Sequence, residues 1–288
     1  MSLRFGYGLN GFTDHRLPDA LAVVAGLGYD GVALTLDHAH LDPFGPGLAG
    51  RVAEAARLLS GHGLDVMVET GGRYVLDPWR KHHPTLVSDE GRERRLKLLR
   101  IALRVAADLG SPAVSFWSGT GPEGVARETL LQRLDAGVEA LLPLADELGV
   151  DLALEPEPGM VVERLQDAVD VRSRLGEPDR LRLTVDVGHL RCNEEGAPGD
   201  LIRSVGPLVR NVQIDDMRRG THEHLPFGEG EVDLPGALAA LQDIGFGGLV
   251  AVELPRHTHM APALAAASLD ALRAAERQTH PTDEEVTR

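Results

Sequence analysis

Four short apolar segments of the chain each end in a side chain whose oxygen can bind a metal ion. The segments are residues 152–155, 183–186, 212–213 and 249–253, which end in Glu155, Asp186, Gln213 and Glu253. A carboxylate or amide at the end of a buried strand needs a cation, a proton or a hydrogen bond. Oxygen ligands suit Mg2+, Mn2+ or Co2+ better than a structural zinc, although Zn2+ stays an alternative. If the four ends converge, they predict a site for one divalent cation.

A repeated alternation of helices and strands predicts where those ends lie. Helical stretches that close in glycine are repeatedly followed by short runs of Val, Leu, Ala and Ile, and glycine readily adopts the left-handed backbone that ends a helix. With strands also predicted at residues 4–8 and 209–214, eight strands alternate with eight amphipathic helices, one of them at residues 128–147. This pattern predicts an α/β fold, a single (β/α)8 TIM barrel over residues 1–279, followed by a polar tail at residues 280–288.

Composition excludes several classes of protein. The formal charge of −15 at pH 7 opposes binding to a polyanion, so we expect no nucleic-acid partner. No apolar run approaches the roughly 18 residues of a membrane span, and the first residues lack the apolar core of a signal peptide, so we expect no membrane partner. The single cysteine, Cys192, excludes an internal disulfide and fits a reducing compartment, which predicts a cytoplasmic protein.

Five stretches of the chain resemble the signature segments of a known family. They are ALEP at residues 153–156, VDVGH at 185–189, NVQID at 211–215, FGEGEVD at 227–233 and VEL at 252–254. The family is that of the xylose isomerase-like TIM barrels, which includes ketose 3-epimerases, hydroxypyruvate isomerases and inosose dehydratases. The resemblance runs from the first strand to the last helix and is strongest between residues 152 and 255.

The resemblance implies roles for individual residues. It implies that all four strand-end oxygens ligate the metal, with Glu155 and Glu253 also forming the acid–base pair, and that His189 and Arg219 contact substrate oxygens. Gln213 is similar to the hydroxypyruvate isomerases, whereas the epimerases usually carry His there. Val161 stands where the epimerases place Glu, so the metal site transfers better than the substrate pocket.

Residues after other predicted strands extend the candidate substrate pocket. His222 and His224 form an H-x-H pair after the seventh strand, which is compatible with metal or substrate binding and also with a polar loop. Arg73 follows the third strand, and Trp117 ends the fourth, where an aromatic ring can form a pocket wall or part of the core. The longest irregular stretch, residues 71–91, is the candidate for a lid or binding loop.

The chemistry of such a site can be derived from its groups. Shifting a carbonyl along a sugar, or inverting the carbon beside it, requires removal of a C–H proton and stabilisation of the resulting enediolate. A divalent cation supplies the electrophile, and two carboxylates can remove and return the proton. We therefore predict a divalent-metal-dependent isomerase or epimerase of a small sugar, ketose or hydroxy-carbonyl acid. Two alternatives remain open: an inosose dehydratase-type lyase on the same metal site, and a catalytically idle barrel that binds a sugar or a partner.

The partners expected are a small sugar-like molecule and further copies of the chain. The family resemblance implies a homo-oligomer, either a dimer or a tetramer. Among sugars, phosphorylated ones are less favoured, because no Lys/Arg cluster follows the seventh and eighth strands beyond Arg218 and Arg219.

Overall fold

The computed structural model describes residues 2–279, and the polar tail predicted for residues 280–288 lies outside them. Ten strands are present in the described residues: β1 (Arg4–Gly8), β2 (Gly31–Thr35), β3 (Asp65–Glu69), β4 (Ala113–Trp117), β5 (Asp151–Glu155), β6 (Leu181–Asp186), β7 (Val209–Ile214), β8 (Asp216–Arg218), β9 (Thr221–Leu225) and β10 (Leu249–Val252). Strands β1 to β7 and β10 form a closed parallel barrel in chain order, with β10 paired to both β7 and β1. The predicted (β/α)8 barrel is therefore confirmed.

Helices connect and cover the strands. They are α1 (Leu17–Leu27), α2 (Leu48–His62), α3 (Arg92–Leu109), α4 (Arg127–Glu139), α5 (Leu142–Leu148), α6 (Leu165–Arg174), α7 (Val187–Asn193), α8 (Pro198–Val205), α9 (Leu234–Asp243) and α10 (Ala261–Thr279). The single helix predicted at residues 128–147 was wrong, because the chain forms α4 and α5 there. Pro143 lies in the first turn of α5, where its missing N–H is tolerated, whereas inside a continuous helix it would remove a hydrogen bond.

Two elements between β6 and β10 were not predicted. The antiparallel hairpin of β8 and β9 follows β7 directly, and the short helix α7 follows β6. The sequence THEHL of β9 is mostly polar, so it lacks the apolar run by which the barrel strands were predicted. The hairpin carries His222 and His224 to the carboxyl end of the barrel.

The interior of the barrel contains an apolar layer beneath a polar one. Five side chains form a small buried cluster apart from the main core: Ala33, Met67, Ala113, Ala153 and Ala251. Residues two positions apart on a strand face the same side, so the next inward positions can be read from the sequence. They are Thr35, Glu69, Ser115, Glu155 and Glu253. Small side chains below and oxygen-bearing side chains above therefore place a polar cavity at the carboxyl end of the strands.

The main apolar core lies between the barrel and its helices. It includes strand residues such as Leu152, Leu154 and Val212 and helix residues such as Leu99 and Leu238, which are 0–1% exposed. Burying a side chain of this size stabilises the fold by about 1.5–3 kcal/mol. Among residues 2–279, no helix combines the length and the apolar character needed to cross a membrane.

Candidate active site

Three of the four predicted metal ligands meet at the carboxyl end of the barrel. Glu155 ends β5, Asp186 ends β6, and Glu253 directly follows β10. One carboxylate oxygen of each lies within 4.8 Å of the others. Gln213 on β7 pairs in register with Asp186 on the neighbouring strand, which places its amide next to these carboxylates. The barrel therefore gathers four oxygen-bearing side chains that are far apart in the sequence.

The carboxylates of this site repel one another in a buried setting. Burial raises the pKa of Glu155 well above its usual value, and the charges of Glu157 and Glu253 raise it further. Burial likewise raises the pKa of Glu253, with the charge of His224 opposing the rise. Such a group of acids is stable near neutral pH only when it holds protons or surrounds a cation.

Unpaired oxygens show that the residues present fit a divalent ion. Asp186 Oδ2 and Gln213 Oε1 are buried and have no hydrogen-bond partner among residues 2–279. The other oxygen of Asp186 accepts the backbone N–H of His189 at 2.9 Å and caps α7. A buried acceptor without a partner costs about 1–3 kcal/mol. A cation among these two residues, Glu155 and Glu253 would satisfy both oxygens with the ligand type that hard divalent ions prefer.

Hydrogen bonds from neighbouring segments orient the two glutamates. The side-chain amide of Asn10 donates to Glu253 Oε1 at 2.8 Å. Ser115 Oγ lies 3.4 Å from Glu155 Oε2 and 2.8 Å from Thr184 Oγ1. Sequence reasoning missed Asn10 and Ser115, because a single polar residue within or just after an apolar strand belongs to no recognisable motif.

Three histidines form a nitrogen-rich cluster beside the carboxylates. His189 Nε2 lies 3.2 Å from His222 Nε2, and the rings of His222 and His224 are 5.2 Å apart between centroids. His224 Nδ1 contacts the buried carboxylate of Asp215. The three imidazoles offer nitrogens within 4.8 Å of one another, so they also could hold a metal ion. His189 Nδ1 lies 3.6 Å from Glu155 Oε1, and the two clusters are therefore adjacent.

The remaining predicted pocket residues are placed differently from one another. Trp117 and Arg73 line the same cavity as Glu155 and Glu253. Arg219 does not line it. This residue lies between β8 and β9, and its guanidinium donates to the Glu194 carbonyl oxygen at 2.5 Å. Contact between Arg219 and substrate stays a prediction, which requires the side chain to reach the cavity from outside its present lining.

The cavity has a volume of about 320 Å3, which is suitable for a small ligand. Glu69, a residue that sequence reasoning missed, also lines it. Burial raises the pKa of Glu69 to about 7, with the hydrogen bond to Asn211 opposing the rise. Glu69 ends β3 after an apolar run, which is the same signal by which Glu155 and Asp186 were found.

A buried arginine holds the loop that borders this cavity. The β3 loop, residues 70–91, has no regular secondary structure. Arg95 on α3 is 3% exposed and donates to the carbonyl oxygens of His82 at 2.8 Å and Pro84 at 3.0 Å. Its guanidinium also lies over the ring of Trp117 at 4.4 Å from the centroid. Arg95 therefore fixes both the loop and one wall of the cavity.

We expect Arg95→Met to destabilise the protein by about 2–4 kcal/mol, because at least two buried carbonyl groups lose their donor. Urea unfolding measures the change, and proteolysis of the β3 loop should become faster. Arg104→Met, at an exposed position of the same helix, is the matched control. Equal stability of the two variants would contradict the role assigned to Arg95.

A buried histidine of the β3 loop should make the free energy of unfolding depend on pH. Burial lowers the pKa of His82 to about 4, and the charges of Lys81 and Arg95 contribute. Between about pH 6.5 and 4 the unfolded chain binds a proton that the folded protein excludes, so stability is full above this window and is lost as the pH falls through it. We expect His82→Gln to remove up to about 2 kcal/mol of the loss between pH 7.5 and pH 5. Urea titrations at both pH values test this, with exposed His62→Gln as the control, whose pH response should match the wild type.

A closed barrel with a polar cavity at the carboxyl ends of its strands is the architecture of the TIM-barrel enzymes. Comparison with known protein families identifies one of them. The chain belongs to the family of xylose isomerase-like TIM barrels, whose profile matches residues 21–275. The family resemblance of the sequence segments is thereby confirmed.

Individual relatives are distant in sequence. The chain is 25% identical over 219 residues to an uncharacterized protein of Methanocaldococcus jannaschii, covering 70% of this chain and 72% of that protein. It is 25% identical over 203 residues to the L-ribulose-5-phosphate 3-epimerase of Shigella flexneri, covering 69% of this chain and 71% of the epimerase.

Solved structures share the fold at lower identity. An L-ribulose 3-epimerase superimposes with a TM-score of 0.78 at 19% identity, covering 100% of this chain and 99% of the epimerase. The IolI protein, solved with a bound zinc atom, gives a TM-score of 0.74 at 16% identity, covering 97% of this chain and 100% of IolI.

Proposed function

We propose that the protein is a divalent-metal-dependent isomerase or epimerase of a small sugar, ketose or hydroxy-carbonyl acid. The observation that carries this proposal is the convergence of the Glu155, Asp186 and Glu253 carboxylate oxygens within 4.8 Å of one another, beside a cavity that Glu155 and Glu253 line. Membership of the family of xylose isomerase-like TIM barrels supports it, and so do the epimerase relatives. The IolI protein, which shares the fold, was solved with a bound zinc atom, and this supports a metal ion in the present protein. The proposed site holds one divalent cation among these three carboxylates and Gln213.

The order of the strands supports different roles for the four residues. Around the barrel, β6 and β7 lie between β5 and β10, so Asp186 and Gln213 are flanked by Glu155 on one side and Glu253 on the other. A divalent ion supplies, when bound, an electrophile that polarises the substrate carbonyl. Glu155 and Glu253 then remove a proton from the adjacent carbon and return it, by way of an enediolate. Asp186 and Gln213 hold the ion.

The test is hydrogen exchange at carbon. A panel of ketoses, hydroxy-carbonyl acids and inososes is incubated with the protein in deuterated water containing Mn2+, Mg2+, Co2+ or Zn2+, and the products are analysed by NMR. Deuterium at the carbon beside the carbonyl, together with an isomer or epimer, is the expected result. Loss of a β-hydroxyl group instead would assign the lyase chemistry. Retention of the metal and sugar with no exchange would assign a binding protein without catalysis.

A further inference from the structure

Three cationic side chains border the exposed end of the cavity. Arg73 and Lys81 come from the β3 loop, and Arg256 follows β10. All three line the cavity and are exposed, whereas Glu69, Glu155 and Gln213 at its buried end are 4–5% exposed. None of the three cations forms an ion pair with a carboxylate of residues 2–279. We call them the cationic rim.

Backbone and side-chain hydrogen bonds hold the cationic rim together. The His82 N–H donates to the Arg73 carbonyl oxygen at 2.5 Å, which folds the loop so that Lys81 lies near Arg73. The Arg73 guanidinium donates to the Pro255 carbonyl oxygen at 2.9 Å, next to Arg256 in the chain. Each guanidinium has five N–H groups, so most donors of Arg73 stay available to a ligand.

The charges of the cationic rim repel one another. Burial lowers the pKa of Lys81, and the charges of Arg73 and Arg256 lower it further, while Glu157 opposes them. The chain as a whole has a formal charge of −15, and Asp37, Glu69, Glu155, Glu157 and Glu253 line the same cavity, yet none of these acids pairs with a cation of the rim. An anion bound between the three side chains would relieve the repulsion.

We propose that the cationic rim binds an anionic group, either a phosphate monoester or a carboxylate, at the end of the sugar substrate remote from its carbonyl. The identity of the sugar rests on the proposed function, whereas the anion site does not require turnover. Arg256 lies three residues after Glu253, so one small ligand can reach both the carboxylates and the rim. Guanidinium groups recognise phosphate and carboxylate oxygens through paired hydrogen bonds.

The sequence disfavoured phosphorylated substrates because it has no compact Lys/Arg cluster after the last two strands. The rim was missed because Arg73 and Lys81 are far from Arg256 in the sequence. They meet it only through the closure of the barrel, in which two strands, β1 and β2, separate β10 from β3.

Kinetics with matched substrates test the proposal. Three ketoses of one configuration are compared: the neutral sugar, its terminal phosphate, and the acid with a terminal carboxylate. We expect kcat/KM for the preferred anion to exceed that for the neutral sugar at least tenfold, and the better anion identifies the natural group. Lys81→Gln and Arg256→Gln should each reduce this preference about tenfold. Exposed Arg57→Gln on α2, outside the cavity, should keep it within threefold. An equal or better neutral sugar, or an unchanged preference in both rim variants, would overturn the proposal.

A binding measurement decides the matter even if no sugar is converted. The metal-loaded protein is titrated calorimetrically with inorganic phosphate and with acetate. We expect Kd for at least one anion to rise tenfold or more in the Lys81→Gln/Arg256→Gln double variant, and affinity in the wild type to fall with added salt. Anions held by the metal alone would bind the wild type and the double variant equally, and this result would refute the cationic rim as an anion site.

Discussion

Glu155→Gln and Glu253→Gln are each expected to slow deuterium incorporation into a sugar substrate by about 10²- to 10⁴-fold, the usual contribution of a positioned acid or base. Glutamine keeps the size of the side chain and one oxygen, but it cannot accept a proton at neutral pH. Because the two acids flank Asp186 and Gln213 on opposite sides, each should remove the proton from one of the two epimers, which differ in configuration at a single carbon. In each variant, deuterium incorporation should therefore slow more for one epimer than for the other, as measured by NMR in deuterated water.

Two controls separate proton transfer from other effects of these changes. Exposed Glu54→Gln on α2 should exchange at the wild-type rate. The metal content of every variant, measured by elemental analysis, must match that of the wild type for the comparison to stand. Exchange within tenfold of wild type in both Glu155→Gln and Glu253→Gln, with metal bound, would exclude them as the acid–base pair.

Removal of the metal is the second change with a large expected effect. Chelation should abolish turnover, and restoring Mn2+ or Mg2+ should recover it, because the ion supplies the electrophile and, within residues 2–279, only histidines and no Lys or Arg lie within ion-pair distance of Glu155, Asp186 or Glu253. Asp186→Asn should weaken metal affinity about 100-fold or more, since the attraction between a carboxylate and a nearby cation amounts to several kcal/mol inside a protein. Asparagine also caps helices well, so α7 should remain folded.

Calorimetry with Mn2+ measures this affinity, with exposed Asp108→Asn as the control. A ligand present at about 100 times its Kd stabilises the folded state by about 2.7 kcal/mol, which corresponds to roughly 4–5 °C in Tm for a chain of this length. Wild-type Tm should rise by this amount with the ion, and Asp186→Asn should respond much less at the same concentration. An identical response of both proteins would remove Asp186 from the ligand set.

The barrel could be predicted from the sequence because its signals are local. Gly28, Gly63, Gly110 and Gly149 all end helices with positive φ, and the apolar run after each became a strand. The same local pattern predicted that Glu155 and Asp186 would end their strands. The hairpin of β8 and β9 was missed because its strands are short and polar, so they bury little apolar surface and leave no run to detect.

The surroundings of the site depend on contacts that the sequence does not display. Arg95 is charged and lies on a helix, and nothing local predicts that it is buried beneath the β3 loop. Asn10 reaches Glu253 across the closure of the barrel. Glu69 carries a usable signal, because an apolar run ends on it as on Glu155, but the family pattern of four ligands does not include it.

The proposed metal site and the cationic rim lie in parts of the molecule that tolerate sequence change to different degrees. Glu155, Asp186 and Gln213 lie on barrel strands that are paired on both sides, whereas Arg73 and Lys81 lie in the irregular β3 loop, which arginines of α3 and α4 hold by its backbone carbonyl groups. Insertions or substitutions in such a loop leave the barrel strands intact. Evolution of related proteins can therefore change substrate specificity through this loop while the proposed reaction stays the same.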